Sequence, residues 1–338
     1  MSARKVAIVG GETPLGKEFQ ELLSRQVAFL EAELFGGDAE SSILTERGGE
    51  PTVINPLTPD RLAEADAVVL AAPAESCREV LDSLRSAGSR PPLISLTDCL
   101  EGWDGVELRA PVVDPADLPP AAAGAYQIAH PAAIVLAEFF RRLRSARQWR
   151  RSVVHVFEPA SERGKKGIDE LHQQTVNLLS FRSMPKDVFD AQLSFTMLPA
   201  YGRGAGVRLE AIEARLRRHV ETLFQRVDAG GPPSLRLIQA PVFHGHSISV
   251  WAEFDAPADP EKLAGALSGG RIDVRGAGDE AGTNVSVAGQ EGMIVSRIEA
   301  DPTEPKAAWF WIVADNHRVS AENAVLLAQL LAGGGGVV

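Results

Sequence analysis

The sequence predicts an α/β chain, with a doubly wound parallel sheet in its first part and an α+β domain with a mostly antiparallel sheet in its second. Three observations predict this. KVAIVG (5–10) is an apolar run closing on glycine, and PLGKEFQELLSRQ (14–26) follows with apolar residues at helical spacing, which gives strand, turn, helix. AELFGG (32–37), ADAVVLAAPA (65–74) and PPLISLTD (91–98) then recur as short buried strands, with a helix over 75–87. After the Pro- and Ala-rich loop DPADLPPAAAG (114–124), helices give way to consecutive strands with little helix between them.

In the second part, AYQIAHPAAIVLAEFF (125–140) contains a strand end, a turn at His130-Pro131 and the start of a helix over 131–147. A strand at 152–159, a helix at 166–180, the Gly-rich loop PAYGRGAG (199–206) and a helix at 207–226 follow. Strands are then expected at 235–242, 247–254, 284–288, 293–300 and 307–314. SISVWAEF (247–254) and AAWFWIVA (307–314) carry more large apolar residues than one solvated sheet face needs, which predicts a subunit interface. The helix AENAVLLAQLLA (321–332) is placed to return to the first domain, and the GGGGVV tail is expected to fray. The expected organisation is a Rossmann-type domain over 1–128, completed by a C-terminal helix at 317–332, and an α+β domain over 129–316.

Composition narrows the function. A formal net charge of −11 argues against a nucleic-acid partner, whose phosphates call for a basic surface. RRLRSARQWRR (141–151) is too short to reverse that and suits the solvated C-terminal end of a helix. The two cysteines, Cys77 and Cys99, give neither a disulfide framework nor a zinc ligand set, so a reducing cytoplasm is expected and no metal is assigned. No secretory h-region and no bilayer-spanning apolar run is present, so no membrane role is expected.

The turn after the first strand runs Gly10-Gly11-Glu12-Thr13-Pro14-Leu15-Gly16. A dinucleotide turn places glycine where backbone approaches pyrophosphate and aims free helix N–H groups at it. Gly10, Gly11, Thr13, Leu15 and Gly16 are the candidate cofactor contacts. Thr13 occupies the central glycine position, however, and Glu12 puts a carboxylate beside the expected phosphate.

Three segments are specific together: ERGKKGIDELHQQT (162–175), QAPVFHGHSISV (239–250) and WIVADNHRVSAENAVLLAQLL (311–331). With the order of elements they resemble the aspartate-semialdehyde dehydrogenase family over essentially the whole chain, and most closely its Usg-type homologues that lack the catalytic cysteine. The resemblance implies chemistry on an aldehyde or acyl phosphate through a cysteine thioester, with NADP or NAD carrying hydride and a histidine as acid and base. It also implies a homodimer.

Residue by residue, the resemblance implies loss. The family's (A/G)NPxC segment falls on Ala129-His130-Pro131-Ala132-Ala133, so Ala133 stands at the nucleophile position. Glu158 stands where the family has its substrate-orienting glutamine, and Gln239 where it has the arginine that grips the substrate carboxylate. His246 is the retained acid/base position. Glu101 falls at the acyl-phosphate arginine, Leu216 at a helix lysine and Glu40 at the arginine for the cofactor 2′-phosphate. Asn316, with Asp315, matches the pair that meets the nicotinamide side. No cofactor is assigned; NADP or NAD binding is weakened by Glu12, Thr13 and Glu40, because a carboxylate facing a phosphate repels it.

Other residues have plainer explanations. His244 and His246 share a face at alternate positions, but no carboxylate or thiol cluster completes a metal site, and a hydrogen-bonded relic of the family's histidine is expected. Cys99 follows a parallel strand and is a conceivable substitute nucleophile; a half-buried structural thiol explains it better, and Cys77 more so. Glu170 and Gln174 are expected to be exposed or interfacial. The expected function is a dimeric binding or scaffold protein without semialdehyde dehydrogenase activity, holding an unknown small molecule in its cleft. The alternatives are an NAD(P)-dependent oxidoreductase of a free aldehyde or other carbonyl using His246, and a true aspartate-semialdehyde dehydrogenase with its nucleophile elsewhere.

Overall fold

A computed structural model describes residues 4–332 except 28, 37–42, 48–49, 87, 89, 117, 119–120 and 122–123. Glu40 and the GGGGVV tail lie outside the described residues. The chain divides into two compact units, one of residues 1–129 with 320–338 and the other of residues 130–319.

The first unit holds β1 (Arg4–Val9), α1 (Pro14–Gln26), β2 (Leu30–Phe35), the hairpin of β3 (Ile43–Arg47) and β4 (Glu50–Ile54), α2 (Pro59–Ala63), β5 (Ala67–Leu70), α3 (Ala74–Ser86), β6 (Leu93–Ser95), β7 (Glu107–Arg109) and β8 (Ala125–Ile128). Its sheet has the order β2-β1-β5-β6-β8-β7, parallel throughout. Strand order reverses at β1, whose neighbours are β2 and β5, and dinucleotide folds place their ligand crevice at the carboxyl ends of such a pair. Val6–Val9 and Val68–Leu70 are fully buried, as both-faced strands require.

The turn after β1 is built from close backbone approach. Gly10 has φ +84°, and a Cβ there would lie 2.5 Å from Ala72 N, at the end of β5. A Cβ on Gly16 would lie 2.2 Å from Gly10 O. Both glycines are therefore demanded by packing, whether or not a cofactor binds. Thr13 caps α1: its hydroxyl accepts from Gly16 N at 3.0 Å and donates to Gly10 O at 2.9 Å. Pro14 takes the first helical position, where its missing N–H costs little.

The second unit holds α4 (Pro131–Ala146), β9 (Trp149–Glu158), a 3₁₀ turn (Ala160–Arg163), α5 (Gly164–Leu179), α6 (Leu209–Arg226), β10 (Ser234–Gln239), β11 (His246–Phe254), α7 (Pro260–Leu267), β12 (Ile272–Val274), β13 (Met293–Ala300), β14 (Ala307–Ala314) and the start of α8 (Asn316–Leu331). Its sheet order is β10-β9-β11-β14-β13-β12; the three central pairings are antiparallel and the two outer ones parallel. Residues 131–140 of α4 are all buried, and the charged side chain among them, Glu138, pairs with Arg271. Phe139 packs edge-on against Phe140 and Phe310, and Phe140 meets Trp149 and Phe224.

Some expectations change. NVSVA (284–288) is a turn and not a strand, because Thr283 and Ser286 exchange side-chain-to-amide bonds of 2.9 and 3.0 Å that compete with sheet pairing. The last helix begins at Asn316, where Asp315 accepts from the His317 and Arg318 amides. Glu170 and Gln174 are buried and not exposed. Glu170 accepts from the amides of Val188 and Phe189, and Gln174 joins Pro185, Ala191, Leu193 and Ser194, so together they hold the loop after α5. Among the described residues, no helix is long and apolar enough to cross a membrane.

The close approach at Gly10 yields a direct expectation. Gly10→Ala lowers stability to denaturant by about 2–4 kcal/mol, through positive-φ strain plus overpacking against the Ala72 backbone. A loss under about 1 kcal/mol in urea titration contradicts the packing role.

Candidate functional site

Strand register brings the site together. Glu158 ends β9 and pairs with Gln239 at the end of the parallel β10. His246 opens β11, whose antiparallel register sets Ser247 against Phe157 and His246 against Ala314. His130 caps α4, its Nδ1 accepting from Ala132 N at 3.2 Å, and Ala133 follows in the first turn. All of these belong to the second unit. Ala133, Glu158, Gln239 and His246 are each 0% exposed.

Gln239 has no spare donor. Its Nε2 donates to Glu158 O at 2.8 Å and Ala240 O at 3.2 Å, and its Oε1 accepts from Tyr201 Oη at 2.5 Å. Burial pushes the Tyr201 hydroxyl pKa up, which keeps it a donor. Gln239 is thus a neutral amide bound to the chain's own backbone.

Glu158 is the charged centre. Its Oε2 lies 3.0 Å from His246 Nε2 and 3.7 Å from His130 Nε2. Burial works against the carboxylate charge, but the two histidines, His130 foremost, outweigh it and hold the group well below the usual carboxylate range. Burial likewise opposes charge on His246, and Glu158 outweighs it, so the imidazole pKa is raised. Glu162 Oε2 stands 3.9 Å from His130 Nε2, while its Oε1 accepts from Asn316 Nδ2 at 2.8 Å.

The sequence offered His246 no carboxylate partner; the fold supplies Glu158 from a neighbouring strand and His130 from a helix cap. His130 was the residue missed, and its signal was a histidine in the asparagine position of the (A/G)NPxC segment. His130, Glu158 and His246 each turn one ligand atom into a cluster within 4.8 Å, a set able to hold a metal ion. His244 is not part of it; its ring packs on His317.

The remaining candidates are occupied locally. Asn316 is fully buried and binds Gly245 N, Ser161 and Glu162. Leu216 is a core residue of α6. In the first unit, the amides of Gly10 and Gly11 donate to Phe35 O, those of Thr13 and Gly16 close the turn, and Leu15 sits in the first turn of α1. Cys99 is 2% exposed, beside Ser95 and packed in one core cluster with Cys77, as a structural thiol would be.

The Glu158–His246 pair carries a pH signature. The depressed Glu158 pKa contributes stability that is present above its ordinary 4.5 and lost as pH falls through the folded value. The raised His246 pKa contributes stability that is present below its ordinary 6.5 and lost as pH rises through the folded value. With a chelator present, the stability of the native chain relative to Glu158→Gln is therefore largest between about pH 4.5 and 6.5 and declines above. A difference that stays flat from acid to alkaline pH contradicts the pairing.

Comparison with known proteins agrees with this architecture. Residues 141–319 match the family profile described as semialdehyde dehydrogenase, dimerisation domain, and residues 5–118 that described as semialdehyde dehydrogenase, NAD binding domain. A USG-1 protein homolog of Pseudomonas aeruginosa is 36% identical over 174 residues, a match that spans 51% of each chain. A USG-1 protein homolog of Azotobacter vinelandii is 29% identical over 345 residues, 96% of this chain and 97% of that one. The structure of a "probable aspartate-semialdehyde dehydrogenase" from Pseudomonas aeruginosa superposes with a TM-score of 0.80 at 28% identity, covering 97% of this chain and 98% of the other. Matched in both its domains, the chain belongs to the semialdehyde dehydrogenase family.

Proposed function

We propose that this chain is a homodimeric binding or scaffold protein that has lost semialdehyde dehydrogenase activity. One observation carries the reading: the residues that replace the family's reacting and gripping groups are bonded within the protein. Gln239 spends both amide protons on backbone carbonyls, and Glu158 pairs with His246. Ala133 has no side-chain nucleophile to offer at the start of α4, where a thiol would gain most from the helix dipole. The family's dimerisation domain and the half-exposed Trp309 on β14 support self-association through the strand-rich unit. In the first unit, a turn whose hydrogen bonds close on itself and the Glu12 carboxylate support weak dinucleotide binding, and a cytoplasmic location fits the free thiols.

The His246–Glu158 pair favours a second reading, direct NAD(P)-dependent reduction of a free carbonyl with His246 supplying the proton. Saturable NADPH binding supports that reading, and its absence removes it.

The first reading is tested with aspartate semialdehyde, phosphate and NADP. No turnover is expected from the native chain, and none from Ala133→Cys, because a restored thiolate still lacks the carboxylate grip and the orienting amide. Turnover above background from either protein contradicts it.

A further inference from the structure

Three buried side chains of the second unit converge in an arrangement that hydrogen bonding does not explain. The Glu158 Oε2 to His246 Nε2 contact of 3.0 Å is a hydrogen bond, but His130 Nε2 stands 3.7 Å from Glu158 Oε2 and 3.9 Å from Glu162 Oε2, too far for one. His130 Nε2, Glu158 Oε1 and His246 Nδ1 are buried with no hydrogen-bond partner among the described groups. Native interiors rarely leave three such atoms together.

We propose that His130, Glu158 and His246 form a binding site for a divalent transition metal of the zinc class. Two imidazoles and one carboxylate are the ligand set of open zinc sites. At metal–ligand distances of about 2.0–2.2 Å, tetrahedral ligand atoms stand roughly 3.3–3.6 Å apart. The observed 3.0 and 3.7 Å bracket that spacing, and all three ligand atoms lie within 4.8 Å. Magnesium and calcium prefer all-oxygen shells, and the cluster has no thiolate for a soft cation. Glu162 adds a second negative charge next to His130 and a candidate fourth ligand.

The pattern of substitution points the same way. Of the three ligands only His246 occupies a position where the family motif already has histidine. His130 stands in the asparagine position and Glu158 in the glutamine position, so two neutral amides have become two metal ligands around one retained imidazole. Loading has a local cost. His130 Nδ1 accepts from the Ala132 amide, so its ring proton sits on Nε2; binding there moves the proton to Nδ1 and gives up that 3.2 Å bond. It also displaces the proton between His246 Nε2 and Glu158 Oε2, which give up their 3.0 Å bond; three metal–ligand bonds outweigh these two hydrogen bonds. The inference does not depend on whether the chain is an enzyme.

The test uses the full-length native chain, stripped with a chelator and titrated with Zn²⁺ against a chromophoric competitor, and with Co²⁺ for its visible spectrum. One equivalent per chain is expected. His130→Asn keeps a capping side chain on α4, and Glu158→Gln keeps the size of the side chain while removing its charge. Each is expected to weaken binding by about 100-fold or more while circular dichroism stays native. The proposal is overturned if the native chain takes up no stoichiometric metal, whether added to folded protein or present during refolding, or if both folded variants bind like the native chain. Should the variants fail to fold, X-ray absorption of the zinc-loaded native chain decides: scattering from two imidazoles supports the site, and a shell without imidazole overturns it.

Discussion

A carboxylate with no exposure to solvent must be matched by positive or polar groups, and Glu158 imposes that demand on everything around it. It sits at the end of β9, flanked by β10 and β11, so its neighbours are fixed by sheet register and cannot drift away. His246 answers from the first residue of β11 and His130 from the cap of α4. The cap in turn requires the chain to enter α4 at Pro131, which places Ala132 and Ala133 in the buried first turn. The charge at one strand end thus constrains a helix entry and a neighbouring strand start.

The same centre accounts for the fate of the groups around it. Gln239 is held by the backbone carbonyl of Glu158 and by the Tyr201 hydroxyl, so its amide is bonded to the protein. Asn316 ties Gly245, Ser161 and Glu162 into the next layer, and Gly245, at φ +81°, shapes the turn that delivers His246. These contacts form a polar network in which the members position one another, which makes single substitutions poor reporters of individual roles.

Much of the fold was legible because it rests on local signals. The apolar strands, the glycines at 10 and 16 and the Pro-led helices α1 and α4 follow from short-range periodicity and caps. Short elements escaped: β7 and β12 have three residues each, too few to show alternation. The helix α7 carried a signal in Asp259-Pro260-Glu261, with Asp259 accepting from Lys262 N, that was not used. NVSVA alternated like a strand, but its flanking hydroxyls offered the backbone a turn. The candidate site positions were named one by one from the family resemblance. The convergence of His130, Glu158 and His246 was not legible, because they meet only through the topology of a helix and two strands.

The central claim is that Glu158 is an ionised carboxylate held between two histidines. Isotope-edited infrared difference spectroscopy of the native chain against Glu158→Gln at neutral pH tests it directly. The account predicts that the substitution removes an antisymmetric carboxylate stretch; removal of a protonated carboxyl carbonyl band in its place would contradict it.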